Sequence, residues 1–160
     1  MAAVVRIGLI SDTHGLVRPG VLEAFEGVDR ILHAGDVGGP DVIATLSSIA
    51  PVDAVFGNVD VPGDPMLSQH LSDKVEGLQI HVSHGHEVGS PKPEVLLSRY
   101  DADVLVFGHT HRPVIHREGS RLVINPGAAG PRRFHLEPTV AILTIEDGRA
   151  EAELVTLEGS

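Results

Sequence analysis

Val4-Val5-Arg6-Ile7-Gly8-Leu9-Ile10, followed at once by Ser11-Asp12-Thr13-His14-Gly15, sets the fold class of this 160-residue chain. The first seven residues are mostly apolar and rich in β-branched side chains, the pattern of a strand buried on both faces. Pro19 can open a helix that continues through Val21, Leu22 and Phe25. The pattern then repeats. Arg30–His33 reads as a strand ending in Ala34-Gly35-Asp36, and Pro40–Ile49 as a helix with Val42, Ile43, Leu46 and Ile49 on one face. Val52–Phe56 reads as a third strand, ending in Gly57-Asn58. Alternation of strand and helix implies parallel strands joined by crossover helices.

The pattern changes beyond Asn58. Val59–His70 is rich in Pro, Gly and Asp and reads as a loop. Lys74–Val75 and Leu78–Ser83 flank Glu76-Gly77, Pro113–Arg117 and Leu122–Ile124 flank Glu118-Gly119, and Val140–Ile145 and Ala152–Leu157 flank Asp147-Gly148. Each is a hairpin signature. Between the first two, Pro93–Arg99 reads as a helix and Val104–Phe107 as a strand running into Gly108-His109. Parallel units followed by hairpins predict an α/β domain of two mixed sheets packed together with helices outside. With no internal repeat and no low-complexity linker, the expectation is one domain over residues 1–160.

Composition narrows the function. Hydrophobic residues make up 42% and charged residues 21%, ordinary for a globular domain. No apolar run approaches the roughly 18–20 residues a membrane span requires, so no membrane association is expected. Cysteine is absent, which excludes disulfides, thiolate metal sites and cysteine nucleophiles. A cytoplasmic location is the expectation. The formal net charge of −10 and the lack of a basic block argue against an extended nucleic-acid surface, while leaving room for a small phosphate ester.

The ten histidines carry the chemistry. The best placed follow predicted strands in short motifs: Asp12-Thr13-His14, Gly35-Asp36, Gly57-Asn58, His84-Gly85-His86 and Gly108-His109-Thr110-His111. Asp12 and His14 would point the same way if the backbone there is extended. Asp36 could offer one carboxylate oxygen to each of two ions, as bridging ligands do in two-metal sites. Asn58 offers a neutral oxygen, and His109 and His111 two imidazoles on one turn. Taken singly, Asp-x-His, Gly-Asp and Gly-Asn are common turn sequences; what is unusual is that successive strands each end in a ligand type. His86 could face a substrate. His33 could orient a ligand from behind or simply pack. His81, His116 and His135 read as strand or loop residues, and His70 as a loop residue with no clear partner. Arg132-Arg133, beyond Asn125-Pro126-Gly127-Ala128, could grip phosphate oxygens or be a surface pair.

The ordered set D-x-H, G-D, G-N, H-G-H and G-H-T-H resembles the calcineurin-like metallophosphoesterase superfamily. The G-N-x-D, S-H-G-H and N-P-G segments are similar to its small prokaryotic phosphodiesterase branch, the YfcE type. The resemblance runs from Ile7 to about Gly130. It implies a four-layer αββα sandwich with a dinuclear metal centre at one end of the sheets. Asp12, His14, Asp36 and His111 would hold one ion; Asp36, Asn58, His84 and His109 would hold the other. It also makes a homo-oligomer an expectation. Two departures stand out: Val59 follows the Asn where many members carry His, and Ala128 replaces the serine of N-P-G-S.

The reading is a metal-dependent phosphodiesterase acting on a small phosphate ester. A hydroxide bridging two divalent ions would attack phosphorus in line with the leaving oxygen, with Asp36, Asn58 and His86 as catalytic candidates. Mn²⁺ is the first choice of metal, with Ni²⁺, Co²⁺, Fe²⁺ or Zn²⁺ as alternatives. The rival reading is a non-catalytic protein-interaction scaffold of the same fold, since a eukaryotic retromer subunit shares it.

Overall fold

Alternation along β1 (Val4–Ile10) fixes the layering. Ile7 and Leu9 point into one core and Ile10 into another, so the strand is covered on both sides. The computed structural model describes residues 4–60, 67–89, 91–132 and 136–157. β1 pairs in parallel with β2 (Arg30–His33), which pairs in parallel with β3 (Val52–Ala54). On its other edge β1 meets β9 (Thr139–Glu146) antiparallel, and β9 meets β10 (Arg149–Thr156). A second sheet runs β4 (Leu71–Val75), β5 (Leu78–Val82), β6 (Val104–Val106), β8 (Arg121–Asn125) and β7 (Val114–Glu118). There β5, β6 and β8 are parallel, while β4 and β7 close the edges antiparallel.

Three apolar clusters correspond to the three interfaces of a four-layer sandwich. Ile7, Leu9, Leu32, Ala141 and Leu143 of the first sheet meet Ile80, Val82, Val104, Val106 and Ile124 of the second in the central core. Outside the first sheet, Val21 of α1 (Pro19–Ala24), Phe25, and Val42, Ile43 and Leu46 of α2 (Pro40–Ser47) cover Ile10, Ile31 and Ile142. Outside the second, Leu96 and Leu97 of α3 (Pro93–Arg99) cover Leu105 and Val123. Each helix opens with proline at its first turn, as its sequence predicts. The αββα expectation holds. No helix among the described residues is long and apolar enough to cross a membrane.

Some boundaries move. The second hairpin turns at Gly119 and Ser120 rather than Glu118-Gly119, because Glu118 still pairs with Arg121. After Ala54 the third strand survives only as a Val55–Ser68 bridge, as the chain peels away toward Asn58. A 3-10 turn at His86–Val88 had no sequence signal. Arg133 and His135 lie outside the described residues, as do residues 61–66 of the loop after β3.

Candidate metal centre

Within each sheet β1, β2 and β3, and β5, β6 and β8, run parallel, so their carboxyl ends share one edge, and contacts such as His84–Asp36 and His111–Asp12 bring the two edges together at one pole of the sandwich. The first sheet delivers Asp12, His14, Asp36 and Asn58; the second delivers His84, His109 and His111. The buried polar residues concentrate there too: Ser11, Asp12, Thr13, His33, Asp36, Ser83, His84 and Asn125. All seven predicted ligands come together. Asp12 and Asp36 are buried, His84 is 1% exposed, His14, His109 and His111 are half-buried, and Asn58 is exposed.

Asp12 and Asp36 share a design. Asp12 Oδ2 accepts hydrogen bonds from the Ser11 hydroxyl at 2.6 Å and the His109 N–H at 3.1 Å. Its Oδ1 is sealed from solvent and accepts none from the described residues. That atom lies 3.4 Å from His111 Nε2 and 3.9 Å from both His14 Nε2 and His84 Nε2. Asp36 Oδ1 accepts the Val59 N–H at 3.0 Å, which turns Oδ2 toward His84 Nε2 at 3.3 Å and His14 Nε2 at 3.7 Å. Where the sequence suggested that both Asp36 oxygens would face ligand histidines, Oδ2 alone is seen to face His14 and His84. Asn58 Oδ1 sits 3.0 Å from His84 Nε2 and 3.2 Å from His109 Nδ1.

These atoms suit a cation. His84 Nδ1–H donates to the Ala34 carbonyl at 2.8 Å, which in the neutral ring leaves an Nε2 lone pair facing two more acceptors, Asn58 Oδ1 and Asp36 Oδ2. Such a convergence of lone pairs is repulsive unless a proton or metal ion lies among them. Two three-residue groups, Asp12–His14–His111 and Asp12–Asp36–His84, bring ligand atoms within 4.8 Å of one another. The electrostatics agree. Burial would lower the His84 pKa, but the hydrogen bond to Asp36 and the charges of Asp12 and Asp36 outweigh it, and the pKa rises. Burial would raise the Asp36 carboxyl, but His84, the Val59 N–H and His14 hold it well below the usual carboxylate range. Burial, with His84 beside it, lowers His109.

The backbone reaches this geometry differently from the extended expectation. Asp12 and His14 have φ of +54° and +46°, Asp36 +55°, His109 +70° and His111 +64°. Asp12 and His14 therefore converge through consecutive left-handed bends, not strand alternation. Their loop is zipped to the next: Asp12 N–H, His14 N–H and Gly15 N–H donate to the carbonyls of Gly35, Asp36 and Val37. Gly108 is needed because a Cβ there would collide with the Ser11 hydroxyl.

Four polar residues lace the loops together. His33 accepts the Gly35 N–H at Nδ1, so its Nε2–H donates to Thr13 Oγ1, whose hydroxyl donates to the Val37 carbonyl. Burial holds His33 down at about 4, so the ring is neutral and its support role is structural. Asp60 accepts N–H groups from Val37, Gly38 and Gly57, at 2.9–3.0 Å. Ser11 anchors Asp12. Asn125 Nδ2 donates to the Gly108 carbonyl and to Thr110 Oγ1, tying the Asn-Pro-Gly strand end to the His109 turn. Sequence reading found His33 as a candidate and missed Asp60, whose signal was an acid two residues beyond the Gly-Asn turn. His86 lies near the cluster, its ring 5.3 Å from that of His84 and 6.2 Å from that of His109, but outside both ligand groups. His70 is not isolated: its ring packs 5.3 Å from His81 and 5.8 Å from Tyr100. His116 lies in β7, and Arg132 is exposed.

Comparison with known proteins agrees with this geometry. Residues 5–148 match the calcineurin-like phosphoesterase superfamily domain. A probable metallophosphoesterase of Methanothermobacter thermautotrophicus is 33% identical over 93% of this chain and 91% of its own length. The Escherichia coli phosphodiesterase YfcE is 34% identical over 74% of this chain and 76% of its own. The structure of vacuolar protein sorting 29 from Cryptosporidium parvum superposes with a TM-score of 0.79, covering 98% of this chain and 99% of that one, at 20% identity, which speaks to the fold alone. The chain belongs to the calcineurin-like phosphoesterase superfamily.

Proposed function

We propose that this metal-dependent phosphoesterase is a phosphodiesterase with a dinuclear centre, in which Asp12, His14, Asp36 and His111 hold one divalent ion and Asp36, Asn58, His84 and His109 the other. The observation that carries the reading is Asp36 Oδ2, set between His14 and His84 while its other oxygen is fixed by the Val59 N–H. The buried Asp12 Oδ1, which accepts no hydrogen bond from the described residues, supports it, because such a carboxylate oxygen is costly without a cation. Mixed carboxylate, amide and imidazole ligands suit Mn²⁺, Co²⁺, Fe²⁺, Ni²⁺ or Zn²⁺, with availability deciding among them; Mn²⁺ is our first choice.

Bound divalent ions supply the Lewis acidity that makes water a nucleophile near neutral pH and offsets charge on the phosphoryl oxygens. The chain does the rest. Asp12 and Asp36 keep the pocket anionic and so attract cations ahead of substrate. His84, His109 and Asn58 form one wall and His14 and His111 the other. His86, beside the cluster without belonging to it, is the candidate to give a proton to the departing oxygen. Val59 is 53% exposed and carries no proton to give.

The sandwich shared with vacuolar protein sorting 29 would equally suit an interaction scaffold. Against that stands the convergence of all seven candidate ligands, supported by Asp60, His33, Ser11 and Asn125. The deciding experiment strips the protein of metal, adds back Mn²⁺, and follows hydrolysis of an aryl phosphodiester and the matching monoester. Metal-dependent turnover favouring the diester is expected. No turnover with any of the five metals would refute an enzyme, and monoester preference would refute a phosphodiesterase.

A further inference from the structure

A second polar network begins where the metal cluster ends. Tyr100, the residue that closes α3, stacks on His81 with ring centroids 4.0 Å apart and planes 25° from parallel. Its hydroxyl donates to Glu87 Oε2 at 2.8 Å. The other Glu87 oxygen accepts the Gly85 N–H at 2.9 Å. Gly85 lies between His84 and His86 with φ of +102°, and a Cβ there would press on Pro91 at 3.1 Å. The short turn it begins closes through Val88 N–H to the Gly85 carbonyl and Gly89 N–H to the His86 carbonyl. Burial and Glu87 together push the Tyr100 phenol up to about 12, so it remains a donor at any pH used for assay. The network ends on the residue that precedes His86, whose Nδ1 is sealed from solvent with no partner among the described residues.

We propose that Tyr100 is a positioning residue for His86, acting through Glu87 and the Gly85 N–H to fix the direction in which His86 meets the leaving oxygen. This rests on the reading of His86 as proton donor. In that step the oxygen of water bonds to phosphorus and the bond to the leaving oxygen breaks, its electron pair going to that oxygen. The proton on the His86 ring follows it there. The proton given up by water goes to solvent, which reprotonates His86. The link is geometric: without the phenol, Glu87 keeps Ser83 and its backbone partners but loses the anchor on Oε2, so the acceptor that holds the Gly85 turn is less firmly placed. A misplacement on the order of 1 Å at a reacting group can cost about 100-fold.

The test is a double-mutant cycle with Tyr100→Phe and His86→Ala, assayed at saturating Mn²⁺ on aryl phosphodiesters spanning good to poor leaving groups. We expect Tyr100→Phe to lower kcat about 10- to 100-fold for poor leaving groups and little for good ones. KM and bound-metal stoichiometry should stay as in the wild type. In the His86→Ala background the substitution should cost nothing further. Equal slowing of all leaving groups, or a full further loss in the His86→Ala background, is loss of general support and overturns the inference. A slow His86→Ala enzyme beside a wild-type Tyr100→Phe enzyme overturns it alone. A His86→Ala enzyme as fast as wild type on poor leaving groups overturns the role of His86, and the inference with it.

Discussion

Asp60 coordinates nothing in the proposed centre, yet its loss should be felt at every ligand of the first sheet. Its carboxylate accepts the N–H groups of Val37 and Gly57 through Oδ2 and of Gly38 through Oδ1, joining the loop that carries Asp36 to the loop that carries Asn58. A hydrogen bond to a charged acceptor contributes about 1.5–3 kcal/mol. Gly38 N–H is at the surface, where water replaces the lost partner. The bonds from the buried Val37 and Gly57 are part-buried, and the low end of that range for each gives about 3 kcal/mol lost in Asp60→Ala. Asp60→Asn keeps one carbonyl oxygen but sets its NH₂ against an N–H donor, so it should recover about half of that. Urea unfolding of the metal-free proteins reads the stability as a lower midpoint at unchanged slope. Calorimetric titration with Mn²⁺ reads the site, where removing a group that orients ligands weakens binding about 10- to 100-fold. An Asp60→Ala protein within about 0.5 kcal/mol of wild type would refute the count of bonds. A destabilised protein with wild-type metal affinity would refute the claim that the clamp positions the site.

Asp36→Asn should bind both metal equivalents more weakly and lose about 10²–10³-fold in kcat, the scale on which a charge-stabilising group at the reacting centre is felt; calorimetry and rates on a folded variant check it, and two tightly bound ions with wild-type turnover would sink the bridge. Metal uptake should release protons, because against the opposing effect of burial the hydrogen bond to Asp36 and the charges of Asp12 and Asp36 raise the His84 pKa and favour a proton that a cation must displace; titrations in buffers of different ionisation enthalpy should show release growing as pH falls, and no buffer dependence would contradict the geometry. His33 makes the metal-free protein sensitive to acid: its pKa falls from 6.5 unfolded to about 4 folded, so stability is full above the first value and is lost as pH drops through the second, by about 3 kcal/mol in total. His84 has the opposite sign, its contribution present at low pH and lost as pH rises through its raised pKa, so comparing wild type with a His33→Gln variant by denaturant titration isolates the His33 slope. Val59→His should speed alkyl diesters relative to aryl ones, since general acid catalysis contributes about 10²–10⁴-fold where the group reaches the leaving oxygen; an unchanged leaving-group series would show that position 59 does not face it.

The strands and helices were legible because their signals are local. Ile7, Leu9 and Ile10 announce a doubly covered strand, and Pro19, Pro40 and Pro93 each mark a helix start. The seven candidate ligands were legible too, because each follows a strand end, and the structure brings them together. What the sequence did not carry was depth. Nothing local says that Asp60 reaches back 23 residues to Val37, or that Asn125 crosses to Gly108. Those bonds exist only once the strands of a sheet lie side by side and their end loops meet. His70 was unreadable for the same reason: its partners His81 and Tyr100 come from β5 and the end of α3.

The backbone explains why the motif has these residue types in this order. Asp12, His14, Asp36, His109 and His111 all hold φ between +46° and +70°. Among residues with a Cβ, Asp, Asn and His enter that region most readily, whereas β-branched residues do so only under strain. Asp12 and His14 need the bends to turn two neighbouring ligands inward from one strand, and His109 and His111 need them for the same reason on the opposite sheet. In the proposed centre a side chain there must therefore both ligate and tolerate a left-handed backbone. Glycine satisfies the second demand but not the first, and glutamate offers the ligand without the same tolerance. Such positions still cost of order 1–3 kcal/mol each and persist only where the surroundings over-determine them. The three backbone bonds from the Asp12 loop to the Asp36 loop, with Ser11, His33, Asp60 and Asn125, supply that constraint. The short motifs are thus a record of backbone geometry as much as of the proposed metal chemistry.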